Sequence, residues 1–146
     1  KPSYRHLEQV QPGTKSYAQT SITMAVEDLL PFTRPWIGWN SKIGTIGIPT
    51  TLFFGPYWTL GPARLEIRFY GTVSNAAGAT VDIAHSGGSI ILASSGLNNT
   101  SEPEGLMATL TTDRTRKIGD IEFRMHACAE SDLIFHHYEL VIDRGN

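Results

Sequence analysis

The chain predicts an all-β fold, an antiparallel β-sandwich of jelly-roll-like kind, on three observations. From about Ala63 onward, short runs alternate apolar and polar residues, as in Arg64-Leu65-Glu66-Ile67-Arg68-Phe69-Tyr70, with Leu65, Ile67 and Phe69 on one side. Side chains alternate across a strand, so the pattern buries one face and wets the other. Each run is closed by Gly, Pro, Asn or Asp, at a spacing of roughly 10 to 15 residues that suits a sandwich. Between Thr33 and Pro62, recurring Pro and Gly exclude a long helix.

Residues 1 to 15 are read as an entry segment, with a short strand at Tyr4 to Val10 before the Gln11-Pro12-Gly13 turn. Tyr17 to Val26 alternates and is rich in β-branched residues, which predicts a strand. Glu27 to Phe32 has room for one helical turn, stopped by Pro31. The Pro/Gly-rich stretch holds all three tryptophans and is expected to carry two brief strands, Trp36 to Trp39 and Thr51 to Tyr57.

The regular part follows. Ala63 to Val73 is a strand, closed by the turn Asn75-Ala76-Ala77-Gly78. Ala79 to His85 points Val81 and Ile83 inward, and the Gly87-Gly88 turn leads to Ser89 to Ser94. After a polar loop from Gly96 to Gly105, Leu106 to Thr112 points Leu106, Ala108 and Leu110 inward. Asp120 to Cys128 does the same with Ile121, Phe123, Met125 and Ala127, and Leu133 to Asp143 is the last strand. The expected core is Leu65, Ile67, Phe69, Val81, Ile83, Leu106, Leu110, Ile121, Phe123 and Leu140. Segment 132 to 142 is apolar or aromatic on both nominal faces, which calls for a second covering layer, either another subunit or the chain's own loops.

The 146 residues make a single domain, and a start at Lys1 is read as the C-terminal part of a longer chain. A net charge of -2 with a pI near 6.2 argues against a nucleic-acid partner. Cys128 is the sole cysteine, so neither an intrachain disulfide nor a four-cysteine zinc site can form. No apolar run reaches the ~18 residues of a membrane span, so no membrane insertion is expected.

Six aromatics, Trp36, Trp39, Phe53, Phe54, Tyr57 and Trp58, crowd the Pro/Gly-rich segment. Aromatic rings stack on the C–H face of a sugar, and Trp and Tyr keep a polar edge for hydrogen bonding. The expected glycan-binding set is therefore Trp36, Trp39, Tyr57 and Trp58 with Arg34 and Asn40. Glu66, Asp82, Asp120 and Glu122 alternate with inward residues, so they are expected on outward faces among arginines, as on a solvated sheet. His136 and His137 are adjacent and should point to opposite faces, leaving one to join His126 and Cys128; no metal and no cofactor are expected. Ser86 lacks a nucleophile-elbow context and no phosphate-binding glycine loop precedes a helix, so no catalytic residues are assigned. Asn98-Asn99-Thr100-Ser101 holds two overlapping glycosylation sequons.

Arg64-Leu65-Glu66-Ile67-Arg68 resembles the Arg-x-Glu-Leu/Val-Arg strand of the jelly-roll alginate lyases, which implies a sugar groove lined by Arg64, Glu66 and Arg68. That family's Gln-Ile/Val-His strand and C-terminal Tyr-Lys-x-Tyr pattern are absent. The Gly/Ser/Thr/Asn-rich turns, low charge and a strand ending near Asp143-Arg144-Gly145-Asn146 resemble the C-terminal sandwich of bacteriophage tailspikes and tail fibres. That resemblance implies a homo-oligomer, a trimer, that assembles or binds cell-surface glycan on a virion or extracellular protein. The expected function is a non-catalytic binding or assembly module; the alternatives are a polysaccharide lyase or hydrolase, and a trimerisation cap without ligand.

Overall fold

The computed structural model describes residues 19–34 and 42–145; the strands expected at Tyr4 to Val10 and Trp36 to Trp39 lie outside them. The elements are β1 (Gln19–Ala25), α1 (Val26–Leu29), a 3-10 turn (Leu30–Phe32), β2 (Ile43–Gly44), β3 (Thr50–Phe53), β4 (Pro56–Leu60), β5 (Ala63–Asn75), β6 (Thr80–His85), β7 (Ile90–Gly96), β8 (Gly105–Arg114), β9 (Ile118–Ala127) and β10 (Asp132–Asp143). They form the expected jelly-roll-like sandwich of two antiparallel sheets. One, here sheet A, runs β1-β10-β5-β8 with β2 also paired to β10; the other, sheet B, runs β3-β9-β6-β7 with β4 also paired to β9.

The single helical turn sits where Glu27 to Phe32 predicted it. The Asp28 carboxylate accepts the Ala25 N–H at 3.0 Å, satisfying one orphan donor at the start, and Pro31 falls in the 3-10 turn that ends it. The strand expected over Thr51 to Tyr57 is two strands. At the break, Gly55 has φ +73°, and a Cβ there would lie 2.6 Å from the Phe32 ring, so glycine is required on both counts.

The two inner faces meet in an aromatic centre. Phe53 and Phe135 have ring centroids 4.6 Å apart, and Phe69 and Phe123 each lie 5.7 Å from Tyr138, in the range of favourable offset and edge contacts. Of the expected core, Leu65, Ile67, Phe69, Val81, Ile83, Leu110, Ile121, Phe123 and Leu140 are buried.

Leu106 is the exception, being 45% exposed. The β5–β8 register steps from Phe69↔Ala108 to Tyr70↔Leu106, so Met107 is an inserted residue. Such a β-bulge reverses the in–out alternation on its far side, and Met107 takes the core position instead. A second bulge explains the two-faced segment 132 to 142. The β10–β5 register steps from Phe135↔Gly71 to His137↔Tyr70, leaving His136 without a rung partner. Leu133 and Phe135 point inward before it, and Tyr138, Leu140 and Ile142 after it. The mixed faces are thus one core-facing strand with a phase change, and no second layer is needed to account for them. Both bulges flank Gly71, where a Cβ would stand 2.3 Å from the Ile134 carbonyl oxygen and 3.0 Å from Met107 Sδ.

Candidate functional site on the outer face of sheet B

Val81 and Ile83 fill the core, so Asp82 between them points to the outer face of sheet B. Its β9 rung partner is Arg124, and His126 lies one rung pair further along the same face. Arg124 donates to Asp82 through Nε at 2.7 Å and Nη2 at 2.9 Å, a two-pronged guanidinium–carboxylate pair. His126 Nε2 meets the Asp82 carboxylate at 2.9 Å, and His126 Nδ1 meets the Thr51 hydroxyl of β3 at 3.0 Å. Sequence alternation placed Asp82 correctly outward but made it solvated; capped by Arg124 and His126, it is buried. Burial alone would raise the Asp82 carboxyl, but the hydrogen bonds from His126 and Arg124, with their charges, hold it below the usual carboxylate range.

Glu122, expected to be solvated, is buried as well, 6% exposed. It sits two residues before Arg124 on the same outer face, with Ala84 of β6 on one side and Pro56 of β4 on the other. The Asp82 carboxylate, not Glu122, takes the Arg124 hydrogen bonds. Among the described residues Glu122 makes neither a hydrogen bond nor an ion pair; its charge is felt by Arg124 and by the Tyr57 phenol. Burial, then the Glu122 charge, push that phenol above its ordinary value, with Arg124 opposing and Asp120 adding.

Tyr57 is 43% exposed and has φ 67°. Asp120, at the other side of Glu122, has φ 52°. Both are in the left-handed region that non-glycine residues rarely occupy, and such strained positions concentrate at functional sites. The Gly55 carbonyl accepts the Phe123 N–H at 2.7 Å and the Phe32 carbonyl accepts the Phe54 N–H at 3.0 Å, which fixes the approach to Tyr57. Its ring then packs 6.2 Å from Phe32 and 6.3 Å from Phe54. The face thus offers a half-exposed aromatic, an unpaired carboxylate and a guanidinium side by side.

Of the expected glycan set, Trp36, Trp39 and Asn40 lie outside the described residues, and Arg34 is exposed just after the 3-10 turn. Tyr57 belongs to the face just described. Trp58, its neighbour on β4, is turned the other way: half-buried against the core, it lines a groove of about 300 Å³ with Ile22, Leu60, Ile142 and Arg144. The structure therefore separates Tyr57 from Trp58. Glu122 and Arg124 were missed as site residues because alternation reports which face a residue takes, not what covers it.

The lyase-like strand lies elsewhere. Arg64, Glu66 and Arg68 are on β5 in sheet A, with Arg68 paired to Glu66 at 2.8 Å and Arg64 to Asp113 at 3.6 Å. His85 ends β6 in the other sheet and faces its neighbour Ser86 at 3.0 Å. The histidine geometry also departs from expectation. His126 is held in the Asp82 network and does not group with Cys128, whereas the β10 bulge brings His136 and His137 together, Nδ1 to Nδ1 at 2.8 Å. Adjacent residues diverge on a regular strand; an inserted residue removes that rule. Among the described residues no helix is long and apolar enough to cross a membrane.

No family model matches the chain, and no curated protein matches it in sequence. Its fold is similar to that of the C-terminal CBM6 of LamC, a marine laminarinase from Zobellia galactanivorans. The TM-score is 0.56 at 10% identity, over 83% of this chain and 98% of that one. Weaker likenesses are to infectious bursal disease virus, Gt strain (TM-score 0.39, 14% identity, 88% of this chain) and Gx strain (0.37, 12%, 88%). This chain spans 32% and 34% of those two viral chains.

Proposed function

We propose that the chain is a non-catalytic glycan-binding module of a virion or extracellular protein, using the outer face of sheet B. The observation that carries this reading is Glu122, a mostly covered residue whose carboxylate has no hydrogen-bond or ion-pair partner among the described residues, beside Arg124 and the half-exposed Tyr57. A carboxylate that no protein donor occupies and that still reaches solvent is free to accept hydrogen bonds from a ligand's donors. Sugar hydroxyls supply such donors and also accept from a guanidinium, while the sugar ring's C–H face rests on an aromatic. The fold likeness to a carbohydrate-binding module agrees with this reading. The Asp82 charge is matched by Arg124, which leaves it weakly suited to strengthen His126 as a base for Thr51.

Arg34, Trp36, Trp39, Asn40 and Trp58 remain in the proposed ligand set. Assembly as a homo-oligomer, a trimer, belongs to the same proposal, since linked sites multiply a modest affinity. Exposed Ile46 and Ile134, which share one shallow groove, offer apolar surface for it. Light scattering that gives a 16.1 kDa monomer at micromolar concentration would remove that part.

A glycan array on the intact chain tests the function. Binding lost in Tyr57→Ala and Glu122→Gln, with circular dichroism unchanged, supports the sheet B face. Loss only in Trp36→Ala, Trp39→Ala or Trp58→Ala moves the site from that face to the tryptophan concerned, and binding to no glycan favours a pure assembly cap. Ultraviolet-absorbing product from uronate polysaccharides, lost in Glu66→Ala, would make the chain a lyase instead.

A further inference from the structure

The opposite face of the sandwich carries a different constellation. Gly71 of β5 pairs with Phe135 of β10 on one side and with Gly105 of β8 on the other. On opposite sides of that rung stand His136, one residue after Phe135, and Glu104, one residue before Gly105. The bulge at His136 then brings His137 onto the same outer face, with the two imidazole rings 5.0 Å apart and nearly perpendicular. His136 Nε2 lies 3.6 Å from Glu104 Oε2.

We propose that His136, His137 and Glu104 bind a divalent transition-metal ion of the zinc, nickel or copper kind. One ligand atom from each residue lies within 4.8 Å of the other two. A tetrahedral ion with bonds of about 2.0–2.1 Å needs its ligand atoms about 3.3 Å apart, so the three side chains close in on the ion as it binds. His136 can give an ion only one nitrogen: its Nδ1 faces His137 Nδ1 at 2.8 Å and its Nε2 faces Glu104, so binding turns the His136 ring until one nitrogen serves the ion between both partners. Two imidazoles and one carboxylate select a borderline ion over magnesium or calcium, which prefer oxygen ligands.

A second observation supports the site. His137 turns its remaining nitrogen, Nε2, toward the Glu139 carboxylate at 3.5 Å, and its ring stacks on Tyr70 at 4.6 Å and 10°. The Tyr70 hydroxyl in turn reaches Glu139 at 3.5 Å. A carboxylate behind a histidine is the arrangement that orients metal-bound imidazoles and raises their basicity. Three protein ligands on an exposed face leave a coordination position for water or for a donor from another molecule.

The test is calorimetric titration of zinc sulfate into the chelator-stripped full chain. A single saturable equivalent is expected, with no saturable heat from magnesium. His136→Ala and His137→Ala should abolish saturation, and Glu139→Gln should weaken binding on the order of tenfold. Glu104→Gln should weaken it measurably, and His85→Ala should leave it unchanged. Should His137→Ala unfold on the evidence of circular dichroism, the exposed His136 and Glu104 variants decide. No saturable binding, or binding indifferent to His136→Ala and Glu104→Gln, would overturn the proposal. Because these residues lie on sheet A, glycan binding can fail while metal binding holds, and the reverse.

Discussion

The outer faces of the two sheets carry similar residues and treat them differently. On sheet A, Arg64 and Asp113 pair with side chains 51% and 74% exposed. On sheet B, Arg124 and Asp82 pair with side chains 17% and 9% exposed, and His126 and Thr51 extend the network. Exposed pairs gain little, because water and salt screen them and their side chains lose freedom. A buried pair holds its geometry, and losing one partner strands a charge. The same alternation therefore produces a solvated surface on one sheet and an organised polar site on the other.

Breaking the buried network should have the largest effect. Asp82→Ala leaves Arg124 without its partner and is expected to cost about 3–5 kcal/mol of unfolding free energy, read from urea midpoints. Replacing Met107 by Ala should cost about 2–5 kcal/mol as a large-to-small change in the core, whereas Leu106→Ala should be nearly neutral. Equal effects at 106 and 107 would contradict the bulge.

Acid should act on sheet B as well. The Asp82 carboxyl is held below its ordinary value in the folded chain. Its contribution is therefore complete above the unfolded value of about 3.9 and is lost as pH falls through the lower folded value. Urea midpoints should drop over that acid range, and Asp82→Asn should flatten this part of the profile. On sheet A, Asp113→Ala should change stability by no more than about 0.5 kcal/mol, the smallest effect of the set.

The regular strands were legible because alternation is a local signal. Ala63 to Val73 predicts nearly all of β5, and the Asn75 to Gly78 and Gly87-Gly88 turns fall where glycine punctuates the chain. The bulges were not legible, because an inserted residue is defined by the partner strand. Leu106 and Met107 exchange roles through the register with β5, and His136 joins His137 for the same reason. The site is harder still to read. Asp82 and Arg124 are 42 positions apart, and nothing near either in sequence names the other. Tyr57 was singled out by its aromatic neighbours, but Glu122 looked like any outward acid.

The most direct test of the organised face is a backbone-amide NMR titration with a glycan taken from the array. Chemical-shift changes are expected to cluster at Tyr57, Glu122, Arg124 and the adjoining residues of β4, β6 and β9, with β5 and the exposed face of sheet A unmoved. Shifts confined to Arg64, Glu66 and Arg68, or absent at saturating ligand, would contradict it.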